Sequence, residues 1–337
     1  MNATTQAQKE TPILEVKNLK MHFPLTKGLL NKQYGVVKAV DDVSFTLQAG
    51  KTLGLVGESG CGKTTIGKCI LQVFHPTSGE ILYKGTDLLK ANDKELKAHR
   101  REIQMIFQDP YGSLDPRQTA FNIVKEVYVN DGKHHDAQEV TAKVNELLVT
   151  VGLSPEIGDR YPHEMSGGQR QRLGIARALA CSPQIIICDE PVSALDVSIQ
   201  AQIINLFEEL QEKMGLTYLF VAHDLAVVRH IADVVAVMYL GHIMEMMESV
   251  QLYKEPLHPY TQALLSAIPI VDYYAEQQRN RIVLSGEVPS PIHAPKGCPF
   301  NPRCPYATER CRQEMPALQD AGNGHLVACH NVKEVNQ

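Results

Sequence analysis

Hydrophobic and polar positions divide the chain into strands that alternate with helices. Residues 13–19 and 36–47 alternate between apolar and polar in the manner of half-buried strands. Short, mostly apolar runs, which are typical of parallel strands covered on both faces, occur at 52–56, 103–107, 185–188, 218–222 and 234–239. Apolar residues recur at helical spacing over 140–151 and 199–210. This alternation predicts an α/β fold with a mostly parallel sheet and an antiparallel β layer before it.

The pattern also predicts how the chain is divided. A loop is expected over 24–35, and the stretch from about 110 to 181 has a helical pattern, which indicates a helical subdomain. Beyond about 250 prolines multiply, and we expect an extension with its own organisation that adds nothing to the sheet. The predicted divisions are a polar tail over 1–12, a main domain over 13–250 and a C-terminal extension over 251–337.

The first candidate chemistry follows the apolar run 52–56 directly. The stretch reads Gly57-Glu58-Ser59-Gly60-Cys61-Gly62-Lys63-Thr64, fits the phosphate-binding P-loop pattern, and leads into a predicted helix that begins at Thr65. Glycines let successive N–H groups point at phosphate oxygens, and the helix N-terminus adds partial positive charge. We expect all of these residues, through Thr65, to bind a nucleoside triphosphate, with Lys63 on the β- and γ-phosphates and Thr64 on Mg²⁺.

Two acids, Asp189 and Glu190, end the apolar run 185–188. The carboxyl ends of parallel strands meet at one edge of a sheet, so these acids are expected beside the P-loop. Asp189 would hold Mg²⁺ through water. Glu190 would orient the attacking water or accept its proton.

Between these elements lies Ser166-Gly167-Gly168-Gln169, which opens a further predicted helix and forms a second anion site. With Gln108, the stretch Ser193–Asp196 and His223 in the same order, the chain closely resembles the ATP-binding cassette (ABC) ATPases. The resemblance implies a RecA-like ATPase core. It also implies a signature motif at 166–169, and the usual leucine before that motif is Met165 here, with little effect expected.

The same resemblance assigns roles to individual residues. Gln108 would be the Q-loop glutamine near Mg²⁺, Asp196 the D-loop acid and His223 the switch histidine on the γ-phosphate. Phe23 would stack on adenine, with Tyr34 as the competing candidate. The family closes each ATP site with the signature of a second subunit, so a head-to-tail pair of ATPases is implied.

Composition narrows the class of ABC protein. The chain has 337 residues, is 44% hydrophobic and 21% charged, and carries a net charge of −5, which argues weakly against a protein that coats nucleic acid. It has no apolar run long enough to span a membrane, and Met1–Glu10 lacks the apolar core of a secretory signal. One cassette without a heptad run favours a cytosolic transporter subunit, docked on separate membrane subunits, over a soluble ABC protein of repair or translation.

Four stretches sharpen the resemblance to the ATPase subunits of dipeptide and oligopeptide importers, and most closely to the F-type ATPase of the dipeptide system: Lys27–Val37, Phe107–Leu114, His258–Leu265 and Gly297–Phe300. The resemblance implies uptake of dipeptides or oligopeptides from a peripheral position on the cytoplasmic face of a bacterial inner membrane. The implied partners are a second homologous ATPase, two permease subunits and, indirectly, a periplasmic binding protein, with no nucleic acid. Related importers of nickel and other small solutes remain an alternative.

Four cysteines crowd the extension, with the spacing Cys298-x5-Cys304-x6-Cys311-x17-Cys329. Disulfides are disfavoured in the cytosol, and zinc sites usually show closely paired cysteines, which are missing here. Four widely spaced thiols fit a [4Fe–4S] cluster at least as well, and the importer ATPases resembled here carry one in this tail. Zinc and unrelated thiols stay open. We expect a structural role, because the cluster lies far along the chain from the ATPase motifs.

Overall fold

The computed structural model describes residues 11–28, 32–130, 136–269 and 281–336. In these residues the strands are β1 (Leu14–Lys27), β2 (Lys32–Leu47), β3 (Thr52–Val56), β4 (Ser78–Tyr83), β5 (Thr86–Asp87), β6 (Ile103–Ile106), β7 (Ile185–Asp189), β8 (Thr217–Ala222), β9 (Val234–Tyr239), β10 (His242–Glu248), β11 (Gln319–Asp320) and β12 (Leu326–Val327).

The helices fill the intervals between these strands. They are α1 (Lys63–Ile70), α2 (Asp93–Glu102), α3 (Ala120–Val129), α4 (Ala137–Thr150), α5 (Gly167–Leu179), α6 (Val197–Met214), α7 (Leu225–Ile231), α8 (Ser249–Lys254), α9 (Pro259–Ser266), α10 (Glu309–Gln313) and α11 (Val332–Val335), with 3₁₀ turns at Pro155–Asp159, Pro162–Glu164 and Pro291–His293. No helix in the described part combines the length and apolar character that crossing a membrane requires.

An eight-stranded sheet carries the site. Its order is β11-β12-β10-β9-β3-β8-β7-β6, and the strands from β9 to β6 run parallel. Every residue of β3, β7 and β8 is buried, as their apolar sequences predict for strands covered on both faces. The predicted parallel sheet is confirmed. Because β3, β7 and β8 are neighbours, the segments that follow their carboxyl ends lie at one edge of the sheet.

A separate antiparallel sheet, ordered β2-β1-β4-β5, packs against the parallel one, and only its strands β1 and β2 precede β3 in the chain. Val43, Phe45 and Leu47 of β2 are buried, which confirms the predicted apolar face. The predicted loop over 24–35 is wrong, because β1 runs to Lys27 and pairs with β2 from Lys32 onward. Most side chains in this hairpin are exposed or only half-buried, so its strands have no apolar alternation to reveal them. Residues 29–31 of that loop lie outside the described residues.

The chain between β6 and β7 is helical in its described part, as predicted. Helix α4 begins after Asp136, whose carboxylate accepts hydrogen bonds from the amides of Gln138 and Glu139. Its buried face matches the predicted one, and this face packs with α3 and α5 into a core shared with the parallel sheet.

The C-terminal extension does add to the sheet, contrary to the prediction. Leu326 and Val327 of β12 pair with β10, and β11 pairs with β12 in turn. Phe300 is fully buried and belongs to the same hydrophobic core as the parallel strands. Two-residue strands have no periodicity, so their pairing depends on the open edge of β10 and leaves no trace in the sequence.

Candidate nucleotide site

The P-loop joins the end of β3 to the start of α1, as its sequence predicts. Two of its glycines have no room for a side chain. A Cβ at Gly62, where φ is +107°, would lie 2.1 Å from the Ala39 carbonyl oxygen, and one at Gly57 would lie 2.2 Å from the Met238 carbonyl oxygen. The loop is therefore packed between β2 and β9, which fixes the direction of its amides.

Lys63 is held inside this loop. Its side chain is buried, and the Nζ atom donates hydrogen bonds to the carbonyl oxygens of Gly57 at 2.7 Å and Glu58 at 3.1 Å. These two carbonyl oxygens accept the hydrogen bonds that the ammonium would donate to phosphate oxygens if a nucleotide were bound. The arrangement places one positive charge at the helix N-terminus, where an anion is already favoured.

Thr64 and Asp189 meet beside the P-loop. The Thr64 hydroxyl donates to Asp189 Oδ1 at 2.7 Å. Burial raises the pKa of the Asp189 carboxyl above its usual range, the hydrogen bond from Thr64 opposes this shift, and the negative charge of Glu190 adds to it. Mg²⁺ prefers such oxygen ligands and needs only one or two from the protein when it also binds phosphates. The donor set therefore fits Mg²⁺.

Glu190 lies at the centre of a polar cluster. Its Oε2 accepts a hydrogen bond from Gln108 Nε2 at 2.9 Å and lies 3.3 Å from Nδ1 of His223. Its backbone has φ +46°, a left-handed conformation that non-glycine residues rarely adopt and that concentrates at functional sites. The structure thus brings together three residues that are far apart in sequence, and no sequence pattern predicted the strained backbone.

The signature residues form the N-terminus of α5. Ser166 Oγ accepts from the Gln169 amide at 3.3 Å, and Gln169 Oε1 accepts from the Ser166 amide at 3.0 Å, which is a complete capping box. A Cβ at Gly168 would lie 2.8 Å from Ile199, so this turn packs directly on α6. None of the hydrogen bonds of residues 166–169 reaches the P-loop in the described part of the chain.

Asp196 begins α6 beside this turn. Its carboxylate accepts hydrogen bonds from the Ser198 hydroxyl at 2.6 Å and the Ile199 amide at 3.0 Å, and the bond from Ser198 is the main reason that its pKa lies below the usual range. The next side chain, Val197, is 81% exposed. Met165, by contrast, is buried in the core, which fits an apolar residue in the family's leucine position.

The two candidates for the adenine contact differ in position. Phe23 pairs with Val37 on β2, close to the Ala39 carbonyl that touches the P-loop, and its ring meets Phe74 edge to face at 5.3 Å. Tyr34 is five residues from Ala39, about 17 Å along an extended strand. It is also 64% exposed. The strand register favours Phe23.

Two residues of the extension reach the P-loop, and no motif in the sequence predicted these contacts. Arg303 Nη1 lies 3.1 and 2.9 Å from the two carboxylate oxygens of Glu58, and the Glu58 amide donates to the Tyr260 hydroxyl at 3.0 Å. These contacts join residues more than 200 positions apart, for which a single sequence carries no local signal. Distance along the chain therefore does not separate the extension from the nucleotide site.

The four cysteines of the extension line one small cavity. Burial raises the pKa of Cys298 to about 12 and that of Cys304 to about 11. The Asn331 amide donates to Cys329 Sγ at 3.4 Å, and the amides of residues 300 and 306 make the corresponding bonds to Cys298 and Cys304. Nevertheless, no three ligand side chains in the described residues are arranged to hold a metal ion. The predicted iron–sulfur cluster is therefore not supported by this geometry.

Comparison with known proteins agrees with the motif order. Residues 40–193 match the ABC transporter family model, and residues 244–311 match the model for the C-terminal region of oligopeptide/dipeptide transporters. The chain is similar to the oligopeptide transport ATP-binding protein AppF of Bacillus subtilis, with 55% identity over 97% of this chain and 99% of the relative. It is 48% identical to the dipeptide transport ATP-binding protein DppF of Escherichia coli, over 98% of each chain.

Solved structures give the same result for the fold. The chain is similar to the ATP-binding cassette MJ0796, described as a dimeric post-hydrolysis state bound to ADP and Pi, with a TM-score of 0.62 and 28% identity over 70% of this chain and 98% of that one. It is also similar to cbiO1 of Clostridium perfringens, part of the ABC transporter complex cbiONQ, with a TM-score of 0.63 and 26% identity over 73% of this chain and 92% of that one. The predicted ABC ATPase fold is confirmed.

Proposed function

The chain belongs to the oligopeptide/dipeptide transport ATP-binding proteins of the ABC transporters, and we propose that it powers the uptake of dipeptides or oligopeptides across a bacterial inner membrane. The observation that carries the ATPase part of this proposal is the meeting of Gln108 and His223 on Glu190, beside the Thr64–Asp189 pair. The names of the relatives favour peptides over nickel or another small solute, and they favour a transporter over a soluble ABC protein.

The proposed mechanism assigns one task to each group of residues. The P-loop amides from Gly57 to Thr65 and the Lys63 ammonium bind the β- and γ-phosphates. Thr64, Asp189 and Gln108 would hold Mg²⁺, which supplies charge neutralisation when bound. Glu190 accepts the proton of the attacking water, and His223, 3.3 Å from that carboxylate, would contact the γ-phosphate. Phe23 stacks on adenine.

We propose that each ATP lies between two subunits. The signature turn at 166–169 packs on α6 and makes no hydrogen bond to its own P-loop in the described residues, so its anion-binding end is available to another subunit. Asp196 and the exposed Val197 lie beside it, on the surface that a second, homologous ATPase would cover. Loss of the γ-phosphate contacts after hydrolysis would then release the pair.

We place the permease contact downstream of Gln108. An open groove of about 540 Å³ runs between the end of β6 and α5, and its lining includes Val73, Phe107 and Ser113. Val73 is 62% exposed and Phe107 41% exposed, and because both line the same groove they give it an apolar surface that suits a protein partner. A cytoplasmic loop of a permease fits there, because the groove adjoins the glutamine that contacts Glu190. This position corresponds to a peripheral protein on the cytoplasmic face.

The proposed division of the chain stays the one expected from sequence, with 1–12, 13–250 and 251–337 as its parts and a helical subdomain over about 110–181. A boundary near 250 is supported by the end of β10 at Glu248 and by the match of residues 244–311 to a separate C-terminal region. Residues 1–10 lie outside the described residues.

Co-purification tests the transport assignment. The full chain, expressed with its candidate permeases and second ATPase, should purify as a complex whose ATP turnover rises with a peptide-loaded binding protein. Val73→Asp should release the chain from the permeases, whereas Val250→Asp, at a similarly exposed valine (60%) on α8, should not. A stable homodimer with vigorous ATP turnover and no affinity for permeases would contradict the proposal.

We also propose that Cys298, Cys304, Cys311 and Cys329 hold a [4Fe–4S] cluster, with zinc as the alternative. The support is the chemistry of the residues: four thiols line one cavity, and three of their sulfurs accept amide hydrogen bonds of the kind that tune such clusters. The arrangement of the described residues does not add to it, because no three ligands there are placed to hold a metal ion. Anaerobically purified protein should be brown and contain about four irons. Colourless protein with stoichiometric zinc would contradict the cluster, and metal-free protein with an ordered tail would contradict both metals.

A further inference from the structure

A buried arginine of the C-terminal extension neutralises a carboxylate of the P-loop. The Arg303 side chain is only 9% exposed, and its Nη1 bonds to both carboxylate oxygens of Glu58. The same nitrogen lies 3.4 Å from the Tyr239 hydroxyl, and Arg303 Nε is buried without a partner in the described residues. Charge-assisted hydrogen bonds of this kind, partly shielded from water, are stronger than fully exposed ion pairs.

The backbone of Glu58 is held from the same side. Its amide donates to the hydroxyl of Tyr260, and the Tyr260 ring is fully buried against Tyr239 and Phe300, with centroid distances of 4.8 and 5.3 Å. Phe300 also accepts a backbone hydrogen bond from the Arg303 amide at 3.0 Å. One packed unit of the extension therefore fixes both the amide and the carboxylate of Glu58.

The position of Glu58 links its ion pair with Arg303 to the binding of ATP. The Glu58 carbonyl oxygen already accepts a hydrogen bond from the Lys63 ammonium, so the residue lies at the phosphate site. A free carboxylate there would repel the polyphosphate and compete for the ammonium. Coulomb repulsion between such charges is larger in a partly buried loop than in water.

We propose that Arg303 is a positioning residue for ATP binding, which acts by neutralising and holding the carboxylate of Glu58. This inference rests on the nucleotide site described above and extends it to the cysteine-rich extension, since Arg303 directly precedes Cys304. It also gives the extension a role in the ATPase cycle rather than a purely structural one.

Nucleotide titration of the full chain, with a fluorescent ATP analogue, tests the proposal. Arg303→Gln should weaken binding by about tenfold, equivalent to ~1.4 kcal/mol, and Arg303→Lys by less, because it keeps the charge. The matched control is Arg310→Gln, which removes an exposed pair with Glu314 in the same extension and should leave affinity unchanged. Circular dichroism melts of each variant confirm that it is folded.

The decisive comparison uses Glu58→Gln, which removes the charge that Arg303 neutralises. If the proposal is correct, the Glu58→Gln/Arg303→Gln double variant binds ATP as well as Glu58→Gln alone, because no carboxylate remains to be neutralised. The proposal would be overturned if Arg303→Gln lowered ATP affinity equally in the wild type and in Glu58→Gln. It would also be overturned if Arg303→Gln alone left ATP affinity unchanged. Failure of the wild-type chain to bind ATP would instead contradict the nucleotide site itself.

Discussion

Two glycine-containing helix N-termini, those of α1 and α5, look alike in sequence and differ in their surroundings. The N-terminus of α1 has no side-chain cap, and it carries Lys63 inside the loop and the Thr64–Asp189 pair next to it. The N-terminus of α5 is capped by its own Ser166 and Gln169 and packs on the D-loop segment. The N-terminus of α1 therefore has a cation and an acid that phosphate cleavage requires, whereas the N-terminus of α5 offers only backbone amides.

The difference indicates a division of labour between the two ends. An uncapped helix end with a cation and two acids is suited to bind and cleave a phosphate bond. The N-terminus of α5 is already capped and carries neither the cation nor the two acids. It is therefore suited to complete a site built by another subunit. Each chain would then supply a reacting half and a closing half, and substitutions should separate the two.

The largest expected effect belongs to the reacting half. Glu190→Gln should lower ATP hydrolysis by about 10²-fold or more, because an amide fills the same space and cannot accept a proton. ATP binding should persist, as measured by titration beside a hydrolysis assay of the assembled complex. Glu212→Gln, at an exposed glutamate of α6, is the control. Near wild-type turnover in Glu190→Gln would remove this residue from the proposed role.

A smaller effect is expected in the closing half. Ser166→Ala removes the N-cap of α5 at a cost of about 1 kcal/mol and disturbs the amides offered to the second subunit. Hydrolysis by the complex should fall severalfold, while ATP binding by the isolated chain stays the same. Ser154→Ala removes the comparable cap of the 3₁₀ turn at Pro155–Asp159 and should leave hydrolysis unchanged. Equal losses in both variants would show that only stability is affected.

The smallest effect is a contrast in thermal stability between two aspartates, one from each half. Burial raises the pKa of Asp189, so its charged form destabilises the fold as pH rises through that pKa. Asp189→Asn should therefore raise the melting temperature of nucleotide-free protein by roughly 1–3 °C at neutral pH. Asp196 has a lowered pKa, so its stabilising charge is lost as pH falls, and Asp196→Asn should lower the melting temperature slightly.

Melting scans of both variants against wild type at pH 7 and near pH 4 check this contrast. The advantage of Asp189→Asn should shrink toward low pH, because wild-type Asp189 is then neutral as well. A melting temperature that shifts in the same direction for both variants would contradict the proposed difference between the two carboxylates.

Much of both halves could be predicted because their signals are local. The P-loop, the two acids at the end of β7 and the signature at the start of α5 each depend on a strand or helix end within a few residues, and the structure places them at such ends. The hairpin of β1 and β2 could not be predicted, because its exposed side chains show no alternation. The left-handed backbone of Glu190 was also invisible, since the residue type disfavours it.

By itself the sequence determined the order of the elements, the ABC family and the residues that meet phosphate, because short-range spacing and periodicity encode these features. Only the tertiary structure decided which distant charged groups form ion pairs. Arg303 reaches Glu58 because the edge of β10 accepts β12 and the shared core holds Phe300 against Tyr239. Such contacts depend on packing between segments that have no fixed spacing along the chain, so the geometry of the folded core, and not any motif, brings the extension to the P-loop.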